Sequence, residues 1–414
     1  MRVGHGVARL EVVPGEPMGG YADRSDGVQN VLDPLEVHAV TFADDGHRFA
    51  LVVADLICVN VDVVERIRGA MRDIGVQSCW VAATHTHASP EAGCSPGGEA
   101  TPRHVADRLE AASLAAARSA LASERAARLG SVRTLVPKLA GRRNVTDSGP
   151  LDIPVDTITV TAGIDVVGLV VISPVHPTIL PADNNHVSAD LNGGIRRALS
   201  APGRWVVVAT GAAGDISTRH TRQGRGLDEV NRLGAWLVDR VGPVPPHVGG
   251  GAPTPVRPPI SRTVTLAPKQ PEELDAALRQ TPPPGVKDER IRWVLQQGRR
   301  IAEEQAAHRR TEPYVIEVEA VDLDGVTVVA VPGELFLELG ETIRSAAPDR
   351  VGDIVVLGYA NGYLGYLPAR DTPPCYETYV SPVTSGSGEI VVEAAVEAAV
   401  EAVGDREHSR RISA

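Results

Sequence analysis

The 414-residue chain is poor in aromatic bulk, with three Phe, four Trp and seven Tyr. No aromatic-rich stretch maps a long acyl channel, so composition names no lipid substrate. Cysteine is also scarce. Cys58, Cys79, Cys94 and Cys375 lie far apart and form no C-x-x-C pair, which reads as reduced thiols rather than a disulfide framework. No window approaches the roughly 18 uninterrupted apolar residues that a membrane span needs. The opening Met1-Arg2-Val3-Gly4-His5-Gly6 has no basic segment followed by an apolar run, so a cytoplasmic protein without stable membrane insertion is expected. Positive charge is in deficit: 41 Lys and Arg against 52 Asp and Glu give a net charge of -11. That balance argues against a general affinity for nucleic acid or anionic membrane, both of which are bound through Lys and Arg. The phosphate-loop pattern G-x-x-x-x-G-K-[ST] and the G-x-S-x-G elbow of serine hydrolases are absent. No internal repeat at a fixed period is evident.

What is present is a globular composition, 43% hydrophobic and 22% charged, with 41 Gly and 32 Pro for tight turns. The pattern predicts a hairpin over 36–57, a helix over 61–74 closed by Gly75, and a buried strand over 78–84. Strand, helix and strand make a βαβ unit. Further helices are expected over 103–128, 192–200, 224–241, 286–310 and 388–402. Strand-like runs fall at 131–140, 155–161, 166–173, 204–210, 314–321, 326–332 and 353–359. The Pro/Gly-rich 242–260 and the charged helix after it suggest a surface excursion or insertion over 242–312 in one domain spanning 1–414.

Polar residues with chemical potential follow the buried strands, where open α/β sheets carry their sites. His85 and His87 follow the strand 78–84, and at i and i+2 in extended backbone both imidazoles can face one cavity. One could bind metal and the other could handle a proton. His176 follows the apolar run 168–173, and Asp190 in the next loop could hold an imidazole by its second nitrogen. Glu334 follows the strand 326–332. Two His and one Glu with an open position for water form a recurrent catalytic zinc set. Gly211 to Ser217 form a tight turn exposing amides and a hydroxyl. The tyrosines cluster at 359–366 and again at Tyr376 and Tyr379, where phenols suit oxyanion stabilisation or metal contact.

Taken in order, these motifs resemble the catalytic domain of the neutral/alkaline non-lysosomal ceramidase family over nearly the whole chain. The matching elements are Met18-Gly-Gly-Tyr21-Ala22, Asp33-Pro34-Leu35, Thr84-His85-Thr86-His87, Arg143-Asn144 and Val175-His176-Pro177 to Asp190. Gly214-Asp215-Ile216-Ser217, Val331-Pro332-Gly333-Glu334 and Ala360-Asn361-Gly362-Tyr363-Leu364-Gly365-Tyr366 complete the series. The resemblance implies a mixed-sheet α/β catalytic domain and a zinc ion (Zn2+) held by His85, His176, Glu334 and Tyr366. It also implies that His87, Arg143 and a second tyrosine near Tyr376 border the substrate carbonyl, and that Ser217 is a nucleophile or a substrate contact. Two departures are visible: Thr218-Arg219 follow Ser217 where ceramidases have Pro-Asn, and the ceramidases' C-terminal immunoglobulin-like domain is missing.

The expectation is a zinc-dependent amidohydrolase in which metal-activated water cleaves a small or modestly lipophilic N-acyl compound rather than membrane-embedded ceramide. Acyl transfer or ester hydrolysis through Ser217, and a non-catalytic zinc protein using the same site, are the alternatives.

Overall fold

The computed structural model describes residues 1–404 apart from 22, 23, 25, 95–99, 144–148, 243, 247–253, 271, 274–288 and 309. It is a mixed α/β structure with eight α-helices among the described residues. Three sheets are built in the same way, each by three antiparallel strands followed by a helix and a fourth strand parallel to the third.

The first unit comprises β1 (Arg2–Arg9), β2 (Glu36–Ala43), β3 (Arg48–Ala54), α1 (Val61–Asp73) and β4 (Ser78–Ala83), and is covered by α2 (Arg103–Ala122). β3 and β4 run parallel, and β3 is buried from Phe49 to Ala54, as a central strand must be. α1 buries Val63, Val64, Ile67 and Met71 at helical spacing and stops before Gly75, which adopts φ 84°. α2 crosses β1 so closely that a side chain at Gly4 or Gly6 would overlap the Ala120 or Ala116 carbonyl. The helix therefore needs its alanines, and β1 needs its glycines. α2 ends earlier than the predicted 128 because Arg125–Ala126 join the edge of the sheet and the next strand starts at Arg128.

The second unit repeats the pattern with β5 (Arg128–Arg142), β6 (Leu151–Ala162), β7 (Asp165–Ser173), α3 (Asp190–Leu199), β8 (Trp205–Thr210) and α4 (Leu227–Val241). β7 and β8 are the parallel pair. The third begins with β9 (Ile260–Leu266), inside the expected excursion 242–312, and the helix α5 (Glu289–Ala307) follows it. β10 (Tyr314–Leu323), β11 (Val326–Ala330), α6 (Leu337–Ala346), β12 (Asp353–Leu357), the short α7 (Tyr376–Val380) and α8 (Ser387–Val403) complete it, with β11 and β12 parallel. The sequence shows no period because the units share strand order, not residues, and their loops differ in length.

One apolar cluster joins the inner faces of all three sheets, with Phe42 and Trp80 from the first, Ile158 and Val207 from the second, and Val321 and Val355 from the third. Each such side chain contributes roughly 1.5–3 kcal/mol on full burial. The strand ends are laced together above it. The Thr210 hydroxyl donates to the Thr84 carbonyl (2.6 Å), Gly358 N–H donates to the Thr210 carbonyl (3.0 Å), and Ala83 N–H donates to the Tyr359 carbonyl (3.0 Å). Loops leaving the third and fourth strand of every unit are thereby brought to one place. No helix among the described residues is long and apolar enough to cross a membrane.

Candidate metal centre and its cavity

The loops after β4, β7 and β11 deliver His85, His176 and Glu334 to the junction of the three units. His85 is not extended: its φ of 63° is left-handed, and this turn aims its ring at the junction. Its Nδ1 lies 2.7 Å from the Ile57 carbonyl, and its ring stacks on Tyr359 at 4.1 Å. His176 is fixed in the same manner, with Nδ1 2.6 Å from the Ala213 carbonyl. Asp190, expected to orient an imidazole, instead accepts the Ile179, Leu180 and Leu191 N–H groups. Backbone carbonyls, which leave no trace in a sequence, do the orienting.

An imidazole that donates from Nδ1 presents a bare lone pair at Nε2. The Nε2 atoms of His176 and His85 lie 3.0 and 3.3 Å from Glu334 Oε2, so acceptors face an acceptor. His87 adds a third nitrogen, its Nε2 3.3 Å from that of His85. Burial pushes the His176 pKa down to about 3 and, with His85 and His176 nearby, drives that of His87 well below its ordinary value. Burial works against ionisation of Glu334, but the facing His85 and His176 draw its pKa well below the usual range. The ligand atoms of His85, His87 and His176 all lie within 4.8 Å of one another, the one cluster of its kind among the described residues. Three imidazoles converging beside a carboxylate are the donor set of a divalent cation, so the site fits a metal ion.

Two tyrosines that the sequence reading did not single out close around the carboxylate. The Tyr363 hydroxyl donates to Glu334 Oε1 at 2.6 Å, and that of Tyr359 lies 3.5 Å from Oε2. The run Tyr359 to Tyr366 signalled phenols near the site, but not which of them would meet Glu334.

Arg143, at the end of β5, occupies the other side. It is ion-paired with Glu377 at 2.7 Å and donates from Nη2 to the Tyr366 hydroxyl at 2.6 Å and to the Gly214 carbonyl at 3.1 Å. Burial opposes its charge, but Tyr366 and Glu377 hold its pKa well above the usual value. Tyr376 meets the ring of Tyr366 edge-on at 6.0 Å. A cavity of about 370 Å³ is lined by His85, His87, Arg143, Ser217, Glu334, Tyr366 and Tyr376, while His176 is not on its wall but meets Glu334. Tyr376, not Tyr379, is the second tyrosine on its wall. Asn144, quoted beside Arg143, lies outside the described residues. Ser217 also faces the cavity, and its hydroxyl oxygen accepts the Arg219 N–H at 3.3 Å. No imidazole or carboxylate hydrogen-bonds it among the described residues, an arrangement suited to a substrate contact rather than an activated nucleophile. Asp215 is structural, ion-paired with Arg142 and accepting the Leu337 N–H at the start of α6.

The expectation of four reduced cysteines is corrected: Cys58 and Cys94 form a disulfide, while Cys79 and Cys375 are free and buried. Their sequence separation of 36 hid it: α1 and β4 fold the chain back, and Cys94 comes to the cavity wall. Cys58 follows Ile57, the residue whose carbonyl holds His85.

Solved structures of similar architecture include "neutral ceramidase from Pseudomonas aeruginosa", with TM-score 0.72, 18% identity and coverage of 97% of this chain and 74% of that one. The chain has the neutral ceramidase fold. A "ceramidase complexed with C2" superposes with TM-score 0.73 at 18% identity, covering 98% of this chain and 75% of that chain. No protein-family model and no curated protein sequence matches the chain. The ceramidase fold accounts for the mixed sheets and for the convergence of sequence-distant loops on one centre.

Proposed function

We propose that the chain is a zinc-dependent amidohydrolase that cleaves the N-acyl bond of a small or modestly lipophilic substrate. The observation that carries this reading is the set of imidazoles gathered at Glu334 beside the cavity. The ceramidase fold supports it.

In this reading His85, His176 and Glu334 hold the ion, and Tyr366 closes the set. The Arg143 donor on the Tyr366 oxygen favours negative charge there. When bound, zinc lowers the pKa of a coordinated water towards ~7 and polarises an acyl oxygen. His87 Nε2 takes a proton from the attacking water and returns it to the leaving amine. Tyr376 and Arg143 border the acyl oxygen and stabilise the charge that develops on it. Ser217 contacts the substrate. The water oxygen bonds to the acyl carbon, the C–N bond breaks with its electron pair leaving on nitrogen, and the amine departs protonated. The reading takes residues 1–414 as one catalytic domain.

A panel of acyl amides and esters, offered to zinc-loaded protein with and without chelator, tests the proposal. Amide cleavage that chelator abolishes and zinc restores is expected. His176→Ala should lose both the ion, by elemental analysis, and the activity. Full zinc occupancy without cleavage of any amide would mark the centre as structural.

A further inference from the structure

The helix α7 is too short to sustain itself. Isolated helices below roughly 12–15 residues are marginal in water, and α7 spans five residues, Tyr376–Val380. Its first two side chains nevertheless form part of the cavity wall: Tyr376 meets the ring of Tyr366, and Glu377 is ion-paired with Arg143. The last carbonyls of a helix find no N–H within it, and here other segments supply the donors. Lys269, three residues beyond β9, donates from Nζ to the Thr378 carbonyl at 2.7 Å and to the Tyr379 carbonyl at 2.9 Å. Gln305 of α5 donates from Nε2 to the Val380 carbonyl at 3.1 Å. A cation at this end also suits the helix dipole, which leaves partial negative charge on the closing carbonyls. Burial pushes the Lys269 pKa down to about 8, so near neutral pH the ammonium keeps its charge.

The clamp is itself fastened. The Lys269 N–H donates to the Pro382 carbonyl at 2.9 Å, and Pro268 bridges to Val383, which ties the end of β9 to the segment leaving α7. On the other side α5 crosses the two rings closely: a Cβ at Gly298 would stand 3.1 Å from Cδ2 of Tyr376 and 3.3 Å from Cδ2 of Tyr379. Both β9 and α5 belong to the segment 242–312, which the sequence presents as a surface excursion.

We infer that Lys269 is a positioning residue for Tyr376: with Gln305 it caps α7 and keeps the Tyr376 phenol on the cavity wall, where the amidohydrolase reading needs a donor for the acyl oxygen. The inference rests on that reading for what Tyr376 does, and on the hydrogen bonds for what holds it. Lys269 does not line this cavity, so it acts through α7. Displacing a group that stabilises the transition state by about 1 Å costs up to ~10²-fold in rate, and an interaction made only in the transition state is lost from kcat rather than from KM.

Lys269→Met keeps the length of the side chain and removes its donors. On zinc-loaded protein, kcat for an amide that the parent cleaves should fall about tenfold with KM within about twofold. Gln305→Leu should lower kcat in the same direction by less, since a neutral donor is lost, and it carries the same comparisons if Lys269→Met does not fold. In a Tyr376→Phe background the Lys269→Met change should cost less than about twofold, because the group it positions is already gone. By hydrogen exchange and mass spectrometry, peptides spanning α7 should exchange about tenfold faster in Lys269→Met, with β12 and α8 unchanged. An equal loss of kcat in both backgrounds, or kcat and α7 exchange at the parent's level in both variants, overturns the inference. If the parent cleaves no amide, the amidohydrolase reading fails, and the exchange comparison alone decides whether Lys269 holds α7.

Discussion

Replacing Tyr363 by Phe removes one oxygen from the metal centre and leaves every proposed ligand in place. That oxygen donates to Glu334 Oε1 at 2.6 Å, while Oε2 of the same carboxylate faces His85 and His176. A hydrogen bond to a charged, buried acceptor is worth roughly 1.5–3 kcal/mol. At about 1.4 kcal/mol per decade this corresponds to roughly a 10- to 100-fold loss of zinc affinity, the range found when partners of metal ligands are removed. Tyr359→Phe is the internal control. Its hydroxyl stands 3.5 Å from Oε2, too long for a strong bond, and Phe keeps the stacking on His85. Titrating zinc against a competing chelator gives both affinities. Tyr363→Phe should bind clearly more weakly than Tyr359→Phe, with a far-ultraviolet spectrum unchanged from the parent. Equal affinities for the two variants would show that the Tyr363 bond does not hold the carboxylate and that the proposed ligand geometry is wrong.

Ser217→Ala should retain full zinc and show no loss of a burst phase, since no base among the described residues hydrogen-bonds this hydroxyl; a burst in the parent that the variant lacks would restore the serine as nucleophile. The Cys58–Cys94 disulfide should appear as two protected thiols when unreduced protein is alkylated and weighed. Closing a loop with sequence separation 36 stabilises by about 3–4 kcal/mol in the chain-entropy account, so reductant or Cys58→Ser should lower the unfolding free energy by that order. Four alkylated cysteines in unreduced protein unfolded for the reaction would instead favour the reducing, cytoplasmic setting expected from the sequence. Burial lifts the Asp190 carboxyl to about pH 6 against the pull of three backbone N–H groups. A carboxyl with a raised folded-state pKa is taken up in protonated form on folding, so this residue adds stability as pH falls from about 6 towards 4. Asp190→Asn should lose that slope in denaturant titrations across this window, and an identical slope would exclude Asp190 as its source.

The donors His85, His87, His176 and Glu334 were legible because each follows an apolar strand, and strand-ends are where such sheets expose chemistry. What holds them was not. The Ile57 and Ala213 carbonyls are backbone atoms, and the left-handed turn at His85 is imposed by three packed units rather than by local propensity. β1 was missed because Gly4 and Gly6 depress its strand signal in order to admit α2. β9 was hidden directly behind the Pro/Gly-rich stretch 242–260, and α6 is a ten-residue helix interrupted by Gly340. The same cause produced the wrong assignment for Asp190: a carboxylate near a histidine in sequence was credited with a bond that lies elsewhere in space.

His85 and His87 belong to the first unit, His176 to the second and Glu334 to the third, so no single unit holds all four donors of the proposed centre. The centre therefore works as a roll-call of the whole chain. Protein cut between β4 and β5, or between α4 and β9, keeps its ligands only while the severed pieces stay docked. Zinc retention by such nicked protein would measure how strongly the units hold one another, quite apart from any catalysis.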